Sequence, residues 1–184
     1  MALTFTPQAE LGSPCPDFTL PAVDGKTYRL QDFQNGKPLV VMFICNHCPY
    51  VKAIEDRLIT LASELKSQAV NVVGICSNDA EGYIEDSFQN LQKRAKEKNY
   101  PFVYLHDEQQ TAAQNFGAVC TPDFFVYDGK TRLAYRGRLD DSWKDPKAVK
   151  KRELFEAVQL LLKNEKSPEK QIPSMGCNIK WTTA

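Results

Sequence analysis

The chain has 184 residues, and 42% of them are hydrophobic, enough for a single domain with a sizeable core. Its 23 basic and 23 acidic side chains cancel, with no basic block, which argues against nucleic acid and anionic membrane surfaces as partners. No apolar run approaches the roughly 20 residues of a membrane span.

The first ordered signals are Pro14, Pro16 and Pro21 around the extended stretch Asp17-Phe18-Thr19-Leu20. Asp24-Gly25 then forms a turn, and Lys26 to Leu30 alternates as an exposed strand does. Together these predict an N-terminal β-hairpin. Leu39 to Ile44 is a continuous apolar run rich in β-branched residues, the pattern of a strand covered on both faces. Cys45-Asn46-His47-Cys48 follows directly. Pro49 suits the first turn of a helix, where its missing N–H costs nothing. Val51, Ile54, Leu58, Leu61, Ala62 and Leu65 then share one helical face, predicting a helix to about Ser67.

Val70 to Cys76 reads as a second buried strand, and Tyr83 to Lys98 as a helix with Tyr83, Ile84, Phe88 and Leu91 on its apolar face. Phe102 to Leu105 is a short strand. Asp107 to Phe116 is a helix closed by Gly117 as its C-terminal glycine. After Ala118 to Pro122, the runs Asp123 to Tyr127 and Arg132 to Arg136 form a hairpin about Asp128-Gly129-Lys130. A last helix is expected over about Pro146 to Lys163. Residues 164–184 form a C-terminal tail of one 1–184 domain, closing with Gly176-Cys177-Asn178-Ile179-Lys180-Trp181.

Two cysteines three apart, between a buried strand and a helix N-terminus, are the central chemical feature. The unpaired N–H groups and positive dipole end of a helix stabilise a thiolate, and His47 adds charge unless it is merely solvated. Cys45 is therefore expected to be the low-pKa nucleophile and Cys48 the resolving thiol. Half a zinc site is the competing reading of CxxC, but Cys15, Cys76, Cys120, Cys177 and His106 are scattered singly. No metal and no cofactor are expected. Met1 to Asp17 lacks a basic n-region and an apolar h-region, so no secretory signal is expected. Six cysteines in a reducing compartment read as thiols rather than as a disulfide framework, which places the protein in the cytoplasm.

The element order, with CxxC after the first buried strand, is the thioredoxin arrangement: an α/β fold, a central mixed β-sheet with helices on both faces and the N-terminal hairpin. Pro16-Asp17-Phe18-Thr19-Leu20, Asp24-Gly25-Lys26 and Leu30-x-Asp32-Phe33 resemble the N-terminal signature of the AhpC/TSA (redoxin) group. Cys45-Asn46-His47-Cys48-Pro49-Tyr50, Cys120-Thr121-Pro122-Asp123-Phe124-Phe125 and the Gly176 to Trp181 tail are similar to its peroxiredoxin-like branch. The resemblance spans nearly the whole chain. It implies that Pro122 is the cis-proline facing the CxxC and that Thr121 pairs with an extended substrate. Asn46, His47, Thr121 and Pro122 are thus candidate substrate-binding residues, and Cys120 a candidate accessory thiol on the rim. A His before the second cysteine is similar to strongly oxidising members of the superfamily. Arg138 lies where another edge of the substrate surface would be.

Two departures matter. Leu39 stands where many thioredoxins carry a buried Asp for proton transfer. Against the peroxiredoxin pattern Pro-x3-Thr-x2-Cys placed on Cys48, this chain has Val41 and Cys45, so the peroxide-holding hydroxyl is missing, although Cys48-Pro49 fits. The expected function is a thiol–disulfide oxidoreductase acting on protein disulfides or dithiols and reduced by a partner. The alternatives are a thiol peroxidase (antioxidant) and a non-enzymatic redox-sensing or metal-carrying module.

Overall fold

In the computed structural model, which describes residues 3–182, ten strands and four α-helices alternate along the chain. The centre is a five-stranded sheet ordered β6-β5-β4-β8-β9. Its strands are β4 (Leu39–Phe43), β5 (Asn71–Cys76), β6 (Val103–His106), β8 (Asp123–Tyr127) and β9 (Leu133–Arg136). β4 runs parallel to β5, and β5 to β6, whereas β8 is antiparallel to both β4 and β9. The sheet is therefore mixed, as expected.

All five residues of β4 are buried, because the sheet is covered on both sides. Successive side chains of a strand point to opposite faces. Val40 and Met42 join the face packed by Val51, Ile54, Leu58 and Leu61 of α1 (Pro49–Ser67), Leu91 of α2 (Phe88–Glu97), and Leu154 and Val158 of α4 (Glu153–Leu162). Leu39, Val41 and Phe43 join the other, with Ala112, Ala113 and Phe116 of α3 (Thr111–Phe116). Truncating a residue such as Leu58 to Ala would cost about 2–5 kcal/mol, the range for large-to-small changes in a packed core. The N-terminal hairpin pairs β2 (Thr19–Pro21) with β3 (Thr27–Arg29), and Ala22 bridges it to Leu105 of β6.

Four expectations need correction. The helix predicted from Tyr83 begins at Phe88, preceded by a single 3-10 turn at Ile84–Asp86. Ile84 is exposed, because Asp86 is drawn inward instead. The helix expected from Asp107 begins at Thr111, since the Asp107 carboxylate bonds the N–H groups of Ala112 and Ala113 and so caps it from outside. α4 starts at Glu153, after a separate 3-10 turn at Pro146–Ala148.

The fourth correction concerns the tail. Met175–Asn178 is a strand, β10, lying between β1 (Leu3–Phe5) and β7 (Cys120–Thr121) in a second sheet. Its register pairs Leu3 with Cys177 on one side and Cys177 with Thr121 on the other. Beyond it, Lys180 exchanges backbone bonds with the loop after β5: Asp79 N donates to its carbonyl, and its own N–H donates to Asn78 Oδ1. Among the described residues, no helix is long and apolar enough to cross a membrane.

Candidate active site

β4 ends beside β5 and β8 at the centre of the sheet, and the chain turns at once into α1. That places Cys45, Asn46, His47 and Cys48 over the strand ends, facing the loop that carries Pro122. The Thr121–Pro122 bond is cis. Thr121 presents both its polar groups to the cysteines. Its Oγ1 is 3.3 Å from Cys45 Sγ, and its carbonyl oxygen is 3.1 Å from Cys48 Sγ, a bond in which Cys48 can donate only while it is protonated.

The two sulfurs are not equivalent, and their order reverses the expectation. Cys48, not Cys45, is the N-cap of α1. A hydrogen bond from the Cys45 thiol is the largest influence on Cys48; against the opposing effect of burial, it acts with the Cys177 thiol and the N–H groups of Val51 and Cys177 to pull the Cys48 thiol down to about 4. Cys45 moves the other way. Burial raises it, and donation to Cys48 and the nearby Asp86 carboxylate raise it further. The positive end of a helix favours a thiolate close to it, and here the residue at the N-cap is Cys48, although its side chain makes no capping hydrogen bond. Both residues are buried.

His47 is not solvated. Its Nδ1 lies 2.5 Å from Asp86 Oδ2 and 3.7 Å from Cys45 Sγ, and its ring packs on Tyr83 at 4.5 Å. Asp86 is wholly buried and also accepts from the backbone N–H groups of Asn46 and His47 and from Asn78 Nδ2. Burial alone would push its carboxyl up, but the bonds from His47 and Asn78 together outweigh that and hold it below its usual range. Asp86 is therefore the carboxylate beside the dithiol that the apolar Leu39 position does not supply. Sequence reasoning missed it because it was counted into a helix. Its signal is a lone acid in a stretch too poor in apolar residues to hold a helical face.

Asn46 has its amide nitrogen engaged within the chain. Its Nδ2 donates to the carbonyls of Glu85 and Asn90, which fixes the CxxC loop to the segment before α2. Cys120 is not on the rim. Its side chain is fully buried and donates to the Pro122 carbonyl, and burial raises its pKa. Successive residues of a strand face opposite ways, so if Thr121 faces Cys45, Cys120 does not. Arg138 is engaged by Glu153 at 2.6 Å. Cys15 and Cys76 are buried thiols, and Cys76 lies near enough to the site to feel the Asp86 carboxylate.

The third sulfur at the site is Cys177, on β10. It was left without a role by the sequence, yet it lies close enough to Cys48 to help lower that thiol's pKa. The adjacent Gly176 has a reason to be glycine, since a Cβ there would run into the Thr121 carbonyl and the Pro122 ring. The substrate-pairing edge expected at Thr121 is thus occupied by the chain's own β10. Next to it, Phe5, Tyr50, Pro122, Trp143 and Ile172 line a cleft of about 160 Å³. Cys45 Sγ, His47 Nδ1 and an Asp86 oxygen lie within 4.8 Å of one another, a donor set that could hold a metal ion.

The profile described as the AhpC/TSA family matches residues 11–136, which include both cysteines and the cis-proline loop. The chain belongs to the AhpC/TSA family. It is 28% identical over 142 residues to the thiol:disulfide interchange protein DsbE of Yersinia pestis, covering 75% of this chain and 70% of that one. To peroxiredoxin Bcp of Escherichia coli K12 it is 29% identical over 126 residues, covering 67% and 76%. The crystal structure of an uncharacterised conserved protein from Geobacillus kaustophilus superposes with a TM-score of 0.95 at 42% identity, covering 100% of this chain and 98% of that one. That similarity takes in the C-terminal strand as well as the family core. This AhpC/TSA chain is an oxidoreductase of thioredoxin-like fold, with thiol–disulfide or peroxiredoxin-like chemistry.

Proposed function

We propose that this protein is a thiol–disulfide oxidoreductase in which Cys48 is the attacking thiolate and Cys45 the resolving thiol. The observation that carries the assignment is that Cys48, and not Cys45, is the N-cap residue of α1, where the neighbouring Cys45 thiol and the start of the helix draw its pKa down. A thiolate is the nucleophile in disulfide exchange. Cys48 attacks a substrate disulfide and forms a mixed disulfide. Cys45 then displaces the second substrate sulfur, leaving a Cys45–Cys48 disulfide for a reducing partner to open. Protein disulfides are the substrates this reading favours, in a reducing compartment, the cytoplasm, that suits six thiols.

The same thiolate supports a second reading, slow reduction of peroxide through a Cys48 sulfenic acid that Cys45 condenses. The Thr121 hydroxyl sits on Cys45 rather than Cys48, which favours exchange over peroxidase specialisation. Reduction of insulin disulfides and consumption of hydrogen peroxide, each with a dithiol donor, separate the two. Loss of insulin reduction in Cys48→Ser is the expected result. Full activity in that variant would end the assignment.

A further inference from the structure

We propose that Cys177 is a third redox thiol of this site, closing a reversible disulfide with Cys48, and that β10 holds the position an extended disulfide substrate would otherwise take. The proposal rests on Cys48 being the attacking thiolate.

Three independent features place Cys177 there. The first is register: Cys177 is the residue of β10 paired with Thr121, directly before the cis-proline and the residue whose carbonyl meets Cys48 Sγ. The second is proximity, since Cys48 and Cys177 are near enough to shift each other's pKa, Cys48 down and Cys177 up. The third is the approach of the strand. Gly176 lets the β10 backbone come onto the Thr121 carbonyl, and the strand is fastened on both sides of Cys177. On one side Ser174 Oγ donates to the Pro122 carbonyl at 2.9 Å. On the other, Ile179 N donates to the Val119 carbonyl, and Gln110 Nε2 donates to that of Lys180. Cys15, Cys76 and Cys120 are also buried, but none lies on the strand that pairs with Thr121.

The chemistry balances without any further oxidant. Cys48 thiolate attacks a substrate disulfide RS–SR′, forming Cys48–SR and releasing R′S⁻. The Cys177 sulfur attacks Cys48 Sγ, so that Cys48–Cys177 forms and Cys48–SR breaks, and the Cys177 proton passes to the departing RS⁻. The protein has lost two electrons and the substrate disulfide has gained them. Cys45 can then attack Cys48 in turn, forming Cys45–Cys48 and returning a proton to Cys177, with no change in oxidation level. Cys177 and Cys45 thus compete for the same mixed disulfide.

The test treats the reduced full chain with oxidised glutathione in four forms: wild type, Cys45→Ser, Cys45→Ala and Cys45→Ser/Cys177→Ser. Non-reducing peptide mass mapping reads the products. Wild type is expected to show Cys45–Cys48. Either Cys45 variant should show a linked Cys48–Cys177 peptide and at least about tenfold less glutathione retained on Cys48 than the double variant, because an internal thiol resolves the adduct. Equal glutathione on Cys48 in the single and double variants, with no linked peptide, would overturn the role of Cys177 while leaving Cys48 as the attacking thiol. No glutathione on Cys48 and no disulfide involving it in any form would overturn the underlying assignment, and this proposal with it.

Discussion

His47 Nδ1 stands 2.5 Å from the Asp86 carboxylate, and the N–H groups of Asn46 and His47 bond the same carboxylate at 2.7 and 3.1 Å. One buried acid thus holds the backbone and the imidazole of the CxxC loop together. Asp86→Asn replaces one acceptor oxygen by a donor facing other donors. It is expected to cost about 3 kcal/mol, the low end for breaking a buried charged network by changing one partner. Urea denaturation of the reduced protein measures it, and a loss below about 0.5 kcal/mol would mean the loop is held by other contacts.

Removing the imidazole takes away a hydrogen-bond partner of the Asp86 carboxylate beside the dithiol. His47→Ala is expected to destabilise the thiolate form and so lower the reduction potential by tens of millivolts, where roughly 30 mV corresponds to about 1.4 kcal/mol for two electrons. Equilibration with glutathione buffers reads the shift. An unchanged potential would mean that the Asp86 charge does not act on the dithiol.

Cys48 is drawn down to about 4 in the fold, against roughly 8.5 for an unfolded cysteine. An acid whose folded value is depressed adds stability that is complete above the unfolded value and is lost as pH falls through the folded one. The reduced protein should therefore lose this contribution progressively from about pH 8.5 down to about pH 4. The gap in urea midpoint between wild type and Cys48→Ser is expected to narrow as pH falls over that window. Thiolate absorbance in the ultraviolet should survive to mildly acidic pH in wild type and in Cys45→Ser, but not in Cys48→Ser. A gap independent of pH would place the ionisation elsewhere.

Gly176→Ala puts a methyl group where the Thr121 carbonyl and the Pro122 ring already lie. Overpacking of this kind costs about 1–3 kcal/mol, here concentrated on the β10–β7 pairing. The expected outcome is faster alkylation of Cys48 by iodoacetamide and faster amide exchange in Met175–Asn178. Wild-type rates in both would show that β10 is not what shields Cys48.

The central sheet was legible because Leu39 to Ile44 and Val70 to Cys76 carry continuous apolar runs that only a doubly covered strand needs. The CxxC and Pro122 were legible from their fixed place after a strand and in a family-like loop. Which sulfur leads was not. That depends on whether α1 starts at Cys45 or after Cys48, a shift of a few residues to which hydrophobic periodicity is blind. Asp86 and Cys177 were hidden for a different reason. Each reaches the CxxC across a long sequence separation, and neither lies in a pattern that marks its partner. Met175–Asn178 offers almost no strand propensity, because its value lies in the smallness of Gly176 rather than in β-branched bulk.

The placement of Cys177 at the far end of the chain has a consequence for synthesis. Residues 48 and 177 are separated by 177 − 48 = 129 positions. At roughly 5–20 residues per second, the ribosome adds Cys177 about 6–26 s after Cys48. During that interval a nascent chain holds Cys45 and Cys48 without the strand that will cover them. An oxidant met then can produce only pairings among the earlier cysteines, with Cys45 the nearest in sequence. The order of translation thus gives Cys45 the first opportunity to pair with Cys48, and only the finished chain can redistribute that bond to its last cysteine.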